Sequence, residues 1–553
     1  MRRRGIDQRG ERRCGEFRRA GENDAHPRSL LNRVDESRAR LGFARPASYY
    51  RPDRTRRRNA AVKPLSGLDS LFLHLETAAT PMHVGALSLL EAASGERDDF
   101  VARVRSHIGD RLHLLPVLTR RLEPMPLGFA NPVWVQADDV DLDAHVRRIR
   151  LPAPGTHAQL EAAVARLHGQ RLDRARPLWM LHVIEGLESG QRAVYTKVHH
   201  AAVDGAAGAA LAQALFDPSP APRAVAPRTR RGEHPGRVEL IAAALRTSAA
   251  QTARLVRRVP AAVRTLAQLA QSRGGAGADG LDALRRNLSF GPRTPLNVAI
   301  DGARSLATLS LPLEAVSRVA AANDAKLNDV VLAIVAGALR RHLEAHGGVP
   351  DKPLVAAVPV SLRESGNTEA TTLATMALAS LATDVADPHE RLAAIRAAAG
   401  AAKAVTHRLR TVIPTDFPSL GVPWLLSAAA ALYGKTRLAE RIPPIANVIV
   451  SNVPGPTAPL YLAGAKLLSL WPLSIVEHGV GLNVTVQSYA GSLDFGVVAA
   501  RNALPDTRQF AEDMHAAFAE LLPDVAPRAR KAARRAPSRP RAPARSPRAT
   551  AQA

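Results

Sequence analysis

The chain lacks several features that mark common classes of protein. It has a single cysteine, Cys14, among 553 residues, so no intramolecular disulfide can form and the composition is typical of a reducing compartment. No apolar run reaches the roughly 18 residues that a bilayer-spanning helix needs. The Arg-rich N-terminus has no apolar core of the kind found in secretory signals. These absences indicate a soluble or membrane-surface protein.

Acidic residues are scarce in three segments. Residues 1–63 contain 19 Lys and Arg against 8 Asp and Glu, residues 223–273 contain 11 against 2, and residues 525–553 contain 9 against none. The net charge of +25 therefore arises in two terminal segments and one internal segment, and the remaining chain is close to neutral. With 46% hydrophobic residues, that remainder can bury a large core, which we expect to form two domains.

The terminal segments are predicted to be disordered, because both are basic and have little apolar periodicity. Residues 1–63 have two interpretations: an arm for nucleic acid or anionic lipid, or a solvated stretch without a function. We favour the second and expect translation to start at Val62, read as Met, since ordered patterns begin at Pro64. Residues 525–553 form the second basic tail.

The internal basic segment, residues 217–290, starts with a Pro/Ala/Arg-rich linker that extends to Arg231. Apolar residues then recur from Val238 to Leu266 at steps of three, four and seven, with arginines between them, which predicts an amphipathic helix that Pro260 should kink. Such a helix could lie on an anionic membrane or pack on its own protein, and amphipathicity alone does not separate the two. A glycine-rich joint, residues 274–280, closes the segment.

The most informative stretch is Val194–Gly205. Residues 193–198 alternate as a strand does, and residues 206–216 form an Ala/Leu run typical of a helix, so His199 and His200 lie at a strand-to-helix turn. A neutral imidazole there can accept a proton from a hydroxyl near pH 7. Asp204 can orient its neighbours, and Gly205 permits a tight backbone. A metal site is weakly supported, because no further ligand cluster lies nearby.

The string His199-His200-Ala201-Ala202-Val203-Asp204-Gly205 resembles the HHxxxDG motif of the CoA-dependent acyltransferase superfamily. Further strings, in the same order along the chain, resemble its bacterial wax ester synthase/diacylglycerol acyltransferase family. They are the opening at 64–73, Arg176-Pro177-Leu178-Trp179, Asn328-Asp329, Pro359-Val360-Ser361-Leu362-Arg363, Ser451-Asn452-Val453-Pro454-Gly455-Pro456 and the stretch 481–489. The resemblance extends from Pro64 to about Leu522.

This resemblance implies a mixed α/β fold of two chloramphenicol-acetyltransferase-like lobes, residues 64–216 and 291–524, with an active-site tunnel between them. Strand patterns in the second lobe fall at 305–311, 354–360, 447–451, 482–488 and 493–498, and helical patterns at 329–344 and 506–522. Asn328 and Asp329 stand at a predicted helix start, where such residues cap free backbone N–H groups. The resemblance makes the same pair a motif of the second lobe.

The implied reaction transfers a fatty acyl group from acyl-CoA to diacylglycerol or a long-chain alcohol. His200 would be the general base, His199 would support it, and Asp204 would hold the turn through an ion pair. No metal or redox cofactor is expected. The implied location is cytoplasmic, at the inner face of a membrane or on lipid inclusions.

Two other functions are compatible with parts of the sequence. A condensation-type domain would use the same histidine motif on carrier-bound acyl groups, but no carrier or adenylation module adjoins it here. A non-catalytic protein could bind nucleic acid or membranes through its basic tails, which would leave the motifs of the lobes without an explanation.

Overall fold

The computed structural model describes residues 63–65, 67–92, 99–125, 128, 130–137, 139–203, 205–226, 236–271, 290–361, 374–409 and 423–522. The basic tails and the glycine-rich joint lie outside these ranges. Elements before the internal basic segment are the strands β1 (Lys63–Pro64), β2 (His83–Leu90), β3 (Arg120–Glu123), β4 (Val133–Gln136), β5 (Val146–Arg150), β6 (Trp179–Glu185) and β7 (Arg192–His199), and the helices α1 (Gly67–Leu75), α2 (Phe100–Gly109), α3 (Pro116–Thr119), α4 (Leu142–His145), α5 (His157–His168) and α6 (Gly205–Leu215).

Helix α7 (Arg237–Gln271) is followed by the second group of elements. Its strands are β8 (Arg304–Pro312), β9 (Val355–Ser361), β10 (Ala374–Ser380), β11 (Val448–Val453), β12 (Tyr461–Leu462), β13 (Ala465–Lys466), β14 (Trp471–Leu473), β15 (Leu482–Tyr489) and β16 (Ser492–Ala500), and its helices are α8 (Leu313–Ala322), α9 (Leu327–Ala345), α10 (Pro388–Leu409), α11 (Pro423–Lys435) and α12 (Thr507–Leu521). The predicted mixed α/β class is confirmed.

The first large sheet has five strands in the order β14-β2-β7-β6-β5. Only β5 and β6 are parallel neighbours; the other pairs are antiparallel. Because side chains alternate along a strand, Val194 and Val198 of β7 enter an apolar cluster that also contains Phe100 and Leu215. His199 lies on the opposite face, directly across from His83 of β2. This register places polar side chains together on one face of the sheet.

The edge strand β14 comes from the C-terminal half of the chain. Trp471 pairs with Leu87 and Leu473 with Gly85, so the second half contributes a strand to the first sheet. Trp471 also shares an apolar cluster with Leu151 of the first half. The two halves are therefore joined by backbone pairing as well as by apolar packing.

The second large sheet has six strands in the order β10-β9-β11-β15-β16-β8. Helix α9 packs against it and against α12, and its positions from Val330 to Leu339 are buried. All five strands predicted for this region are present, with ends shifted by a residue or two, and the predicted helices correspond to α9 and α12. Strand β10, which pairs with β9, was not predicted.

The predicted amphipathic helix is α7, which continues through Pro260. Leu240 and Ala244 pack against Met125 and Val133, so one face of its first half is buried against the protein. This part of the packing interpretation is confirmed. None of the described helices is long and apolar enough to cross a membrane.

Asp217, the first residue of the linker predicted from composition, belongs to the packed body. Its side chain is 1% exposed, its backbone pairs with Tyr461, and its carboxylate accepts a hydrogen bond from Arg111 at 3.0 Å. Composition did not reveal this, because Arg111 and Tyr461 lie more than a hundred residues from Asp217 in sequence.

Candidate active site

The histidine motif occupies the turn that the sequence predicts. Strand β7 ends at His199, a short 3₁₀ turn covers His200–Ala202, and α6 begins at Gly205. The backbone N–H of His200 donates to the carbonyl of Met82 at 2.9 Å, which ties the turn to the start of β2. Asp204 lies outside the described residues, so its predicted ion pair stays a prediction.

His200 is half-buried and stacks on Phe72 of α1. The ring centroids are 4.0 Å apart and the planes differ by 14°. Its Nδ1 atom is buried, while the residue as a whole is partly exposed. Burial lowers the pKa of His200 to about 4, while the ring's own backbone carbonyl acts to raise it. The imidazole is therefore neutral near pH 7, as a general base must be.

His199 is fully buried and has a defined tautomer. Its Nδ1 accepts a hydrogen bond from the backbone N–H of Ala201 at 3.1 Å. Since a neutral imidazole carries one proton, that proton is on Nε2. Nε2 lies 3.5 Å from Oε1 of Glu76, and burial lowers the pKa of His199 while Glu76 acts to raise it. His199 thus adjoins the proposed base in sequence and contacts a buried carboxylate, an arrangement that fits its predicted supporting role.

Glu76 follows the last residue of α1 and is buried among donors. It accepts hydrogen bonds from the backbone N–H of Met82 at 3.2 Å and from Arg174 at 3.1 and 2.8 Å. Burial by itself would raise the pKa of Glu76, but the nearby His199 and Arg174 bring it down to about 2. A permanent negative charge therefore lies beside His199.

In the Asn328-Asp329 pair, Asp329 has a structural role that its geometry explains. Helix α9 begins at Leu327, and the carboxylate of Asp329 accepts a hydrogen bond from the backbone N–H of Lys326 at 2.9 Å. This confirms the prediction that Asp329 caps a helix start. Among the described residues, no hydrogen bond joins Asn328 or Asp329 to either histidine of the motif.

Sequence reasoning missed Phe72, Glu76 and Arg174. One signal was present for Glu76: it is an acidic residue directly after an apolar helix, where the negative end of the helix dipole disfavours a carboxylate. Such a placement indicates that a cationic or N–H partner compensates the charge. Identifying Arg174 as that partner needed the fold, because the two residues are 98 positions apart. Nowhere in the described ranges do three His, Cys, Asp or Glu residues come together as a metal site would require.

Comparison with known proteins assigns this fold and site to a family. The family model of the wax ester synthase/diacylglycerol acyltransferase catalytic domain matches residues 65–331, and that of the corresponding C-terminal domain matches residues 373–522. The chain belongs to this family, and it is an acyltransferase by class. The resemblance of its motifs is thereby confirmed, and the condensation-type alternative is not favoured.

Individual relatives agree with this assignment. A protein of Mycobacterium tuberculosis strain H37Rv, named as a diacylglycerol O-acyltransferase, is 38% identical over 469 residues, which is 83% of this chain and 99% of that protein. The O-acyltransferase WSD of Acinetobacter baylyi is 33% identical over 80% of this chain and 93% of its own length. The structure of the wax ester synthase/diacylglycerol acyltransferase of Marinobacter aquaeolei VT8 matches with a TM-score of 0.58 at 32% identity, covering 83% of this chain and 98% of that one.

Proposed function

We propose that this chain transfers a long-chain fatty acyl group from acyl-CoA to the hydroxyl of diacylglycerol or of a long-chain alcohol, forming triacylglycerol or a wax ester. One observation supports this most directly. Within the matched catalytic domain, a neutral, partly exposed His200 stands at a strand-to-helix turn. The names of the Mycobacterium and Marinobacter relatives supply the two products, triacylglycerol from diacylglycerol and wax ester from a long-chain alcohol.

The chemistry in this proposal is direct transfer. His200 Nε2 removes the proton of the acceptor hydroxyl as its oxygen attacks the thioester carbonyl, and the tetrahedral intermediate then expels CoA. The resulting imidazolium returns its proton to the thiolate sulfur, so the thiol leaves and the base is regenerated. Because the thioester is already activated, the reaction needs no covalent enzyme intermediate, metal or redox cofactor.

A substrate assay with a matched variant tests the proposal. Purified chain is incubated with labelled palmitoyl-CoA and either hexadecanol or diolein, and ester products are separated by lipid chromatography. We expect turnover with at least one acceptor and a loss of about 10²–10⁴-fold in His200→Ala, the usual contribution of a positioned general base. His199→Ala should cost less. Near-native turnover by a folded His200→Ala variant would refute the role of His200.

We further propose that the enzyme meets its lipid substrates at an anionic membrane or lipid-droplet surface through α7. The face opposite the packed one exposes Val238, Leu245 and Val256, which are 82%, 51% and 63% exposed. Their spacings of 7 and 11 residues place them on one stripe of the helix. Exposed Arg246 and Arg257 lie beside this stripe, and such a combination favours the headgroup region of anionic lipid.

Vesicle flotation separates this proposal from a purely packed helix. The triple variant Val238→Ser/Leu245→Ser/Val256→Ser should lose binding to vesicles that contain phosphatidylglycerol, whereas the exposed control Ala249→Ser should bind as the parent chain does. Binding by the parent should also weaken as salt rises, because the arginines contribute through screened charge. Equal flotation of the parent chain and the triple variant would contradict the proposal.

A further inference from the structure

Both histidines of the motif are connected to one carboxylate. Oε1 of Glu76 lies 3.5 Å from Nε2 of His199, and the same oxygen accepts the backbone N–H of Met82 at 3.2 Å. The carbonyl of Met82 in turn accepts the backbone N–H of His200 at 2.9 Å. Glu76 therefore contacts His199 directly. It is connected to His200 through the backbone of Met82, the residue that precedes β2.

The second oxygen of Glu76 is held by Arg174. The guanidinium donates to Oε2 through Nε and Nη2, and Nη2 also donates to the carbonyl of Leu73 at 2.7 Å in the last turn of α1. Both guanidinium donors meet one oxygen while the Met82 N–H meets the other, so different partners hold the two oxygens and fix the orientation of the carboxylate. The Glu76 side chain is 1% exposed, so these donors replace the water that would otherwise solvate it.

A fixed carboxylate has a definite effect on His199. Its negative charge, 3.5 Å from Nε2, favours a proton on that nitrogen, which leaves Nδ1 free to accept the N–H of Ala201. That hydrogen bond holds the first residue after His200 and so shapes the 3₁₀ turn. If the proton moved to Nδ1, two N–H donors would face each other and the turn would have to open.

We propose that Glu76, oriented by Arg174, is a positioning residue for the acyl transfer, because it fixes the His199 tautomer and the Met82 peptide that together hold His200. Glu76 and Arg174 act through these neighbours and do not touch the reacting atoms. This inference rests on the proposed function of His200 as the base.

Glu76→Gln is the most informative change, because it keeps the shape of the side chain and removes its charge. We expect kcat to fall about 10- to 100-fold, the usual effect of losing a group that orients a reacting residue, with little change in KM for acyl-CoA. Arg174→Lys keeps a charge but loses one of the two guanidinium donors, so its kcat should lie between the values for Glu76→Gln and the parent chain. Because both act through one unit, the double variant should lose less than the product of the two single losses.

The chain offers a matched control in Glu161 of α5. This glutamate is also buried, lies 3.3 Å from a histidine ring nitrogen of His157, and contacts Arg508 at 2.7 Å, but its other bonds go to Thr308 of β8 and none of the described ones leads to the motif. Glu161→Gln should lower the melting temperature while kcat stays within about twofold of the parent chain. If Glu76→Gln and Glu161→Gln have the same kcat, the proposal is overturned.

A second readout does not depend on turnover. Nitrogen NMR of His199 should show a protonated Nε2 in the parent chain and in Glu161→Gln, and a mixture of tautomers in Glu76→Gln. An unchanged Nε2–H tautomer in Glu76→Gln would refute the link to His199 even if kcat fell. Absence of acyl transfer by the parent chain would instead refute the proposed function and leave the tautomer result intact.

Discussion

His182 of β6 makes the stability of the first sheet sensitive to acid. Its ring is 5% exposed, stacks on Tyr195 at 5.9 Å between centroids, and has a buried Nδ1 without a hydrogen-bond partner among the described residues. Burial first, and then the charges of Lys197 and Arg147, lower its pKa from 6.5 to about 4. The folded protein therefore holds this ring neutral well below the pH at which the unfolded chain protonates it.

The sign and size of the effect follow from these two pKa values. Below pH 6.5 the unfolded state binds the additional proton, so the free energy of unfolding decreases as pH falls towards 4 and the contribution then levels off. Between about pH 7.5 and about pH 5, the loss attributable to His182 is about 2 kcal/mol. His182→Phe keeps an aromatic ring against Tyr195 and removes the titration, so it should lose about 2 kcal/mol less than the parent chain over this interval.

Urea unfolding followed by circular dichroism at the two pH values measures this difference. Comparing each chain with itself at two pH values cancels the change in packing that the substitution causes at every pH. His515→Gln, an exposed position on α12, serves as the control and should show the pH dependence of the parent chain. The reasoning is wrong if His182→Phe loses as much stability between the two pH values as the parent chain does.

Three further changes test other parts of the structure. Arg111→Met removes the shorter of the two arginine contacts of the buried Asp217 carboxylate, leaving Arg223 at 3.6 Å, and should cost about 1.5–3 kcal/mol in urea unfolding; full stability would contradict the importance of the Arg111 contact. Asp329→Ala removes the cap of α9 and should lower stability by about 1 kcal/mol, which an unchanged melting temperature would disprove. Phe72→Ala frees the ring of His200, so kcat in the acyl-transfer assay should fall about tenfold, consistent with loss of a stacking contact worth about 0.5–1.5 kcal/mol; an unchanged kcat would show that the contact does not orient the base.

The helices and strands could be predicted where the pattern of side chains is local. Alternation along 193–198 and the Ala/Leu run after Gly205 predicted β7, the turn and α6, and the structure has them within a residue or two. The same holds for the strands of the second sheet and for α9, because their burial on one or both faces imposes a periodicity that is visible in the sequence. The order of the family's motifs predicted the family, which the comparisons confirm.

The surroundings of the histidines could not be predicted in this way. Arg174 meets Glu76 from 98 positions away, and β14 reaches β2 from the far end of the chain to complete the first sheet. Helix α7 was predictable only in part. Its amphipathic pattern is visible in the sequence, but the packing of Leu240 and Ala244 depends on an apolar surface that Met125 and its neighbours form more than a hundred residues earlier.

The sequence by itself therefore determined the family and the local element that presents the proposed catalytic histidines. Residue type and short-range periodicity suffice for that, since a strand, a turn and a helix are decided within a few neighbours. Only the tertiary structure decided what surrounds His199 and His200, namely Phe72, Glu76 and Arg174 around the turn. The physical reason is that burial, pKa and hydrogen-bond partnership depend on groups brought together by folding, and distance along the chain does not record them.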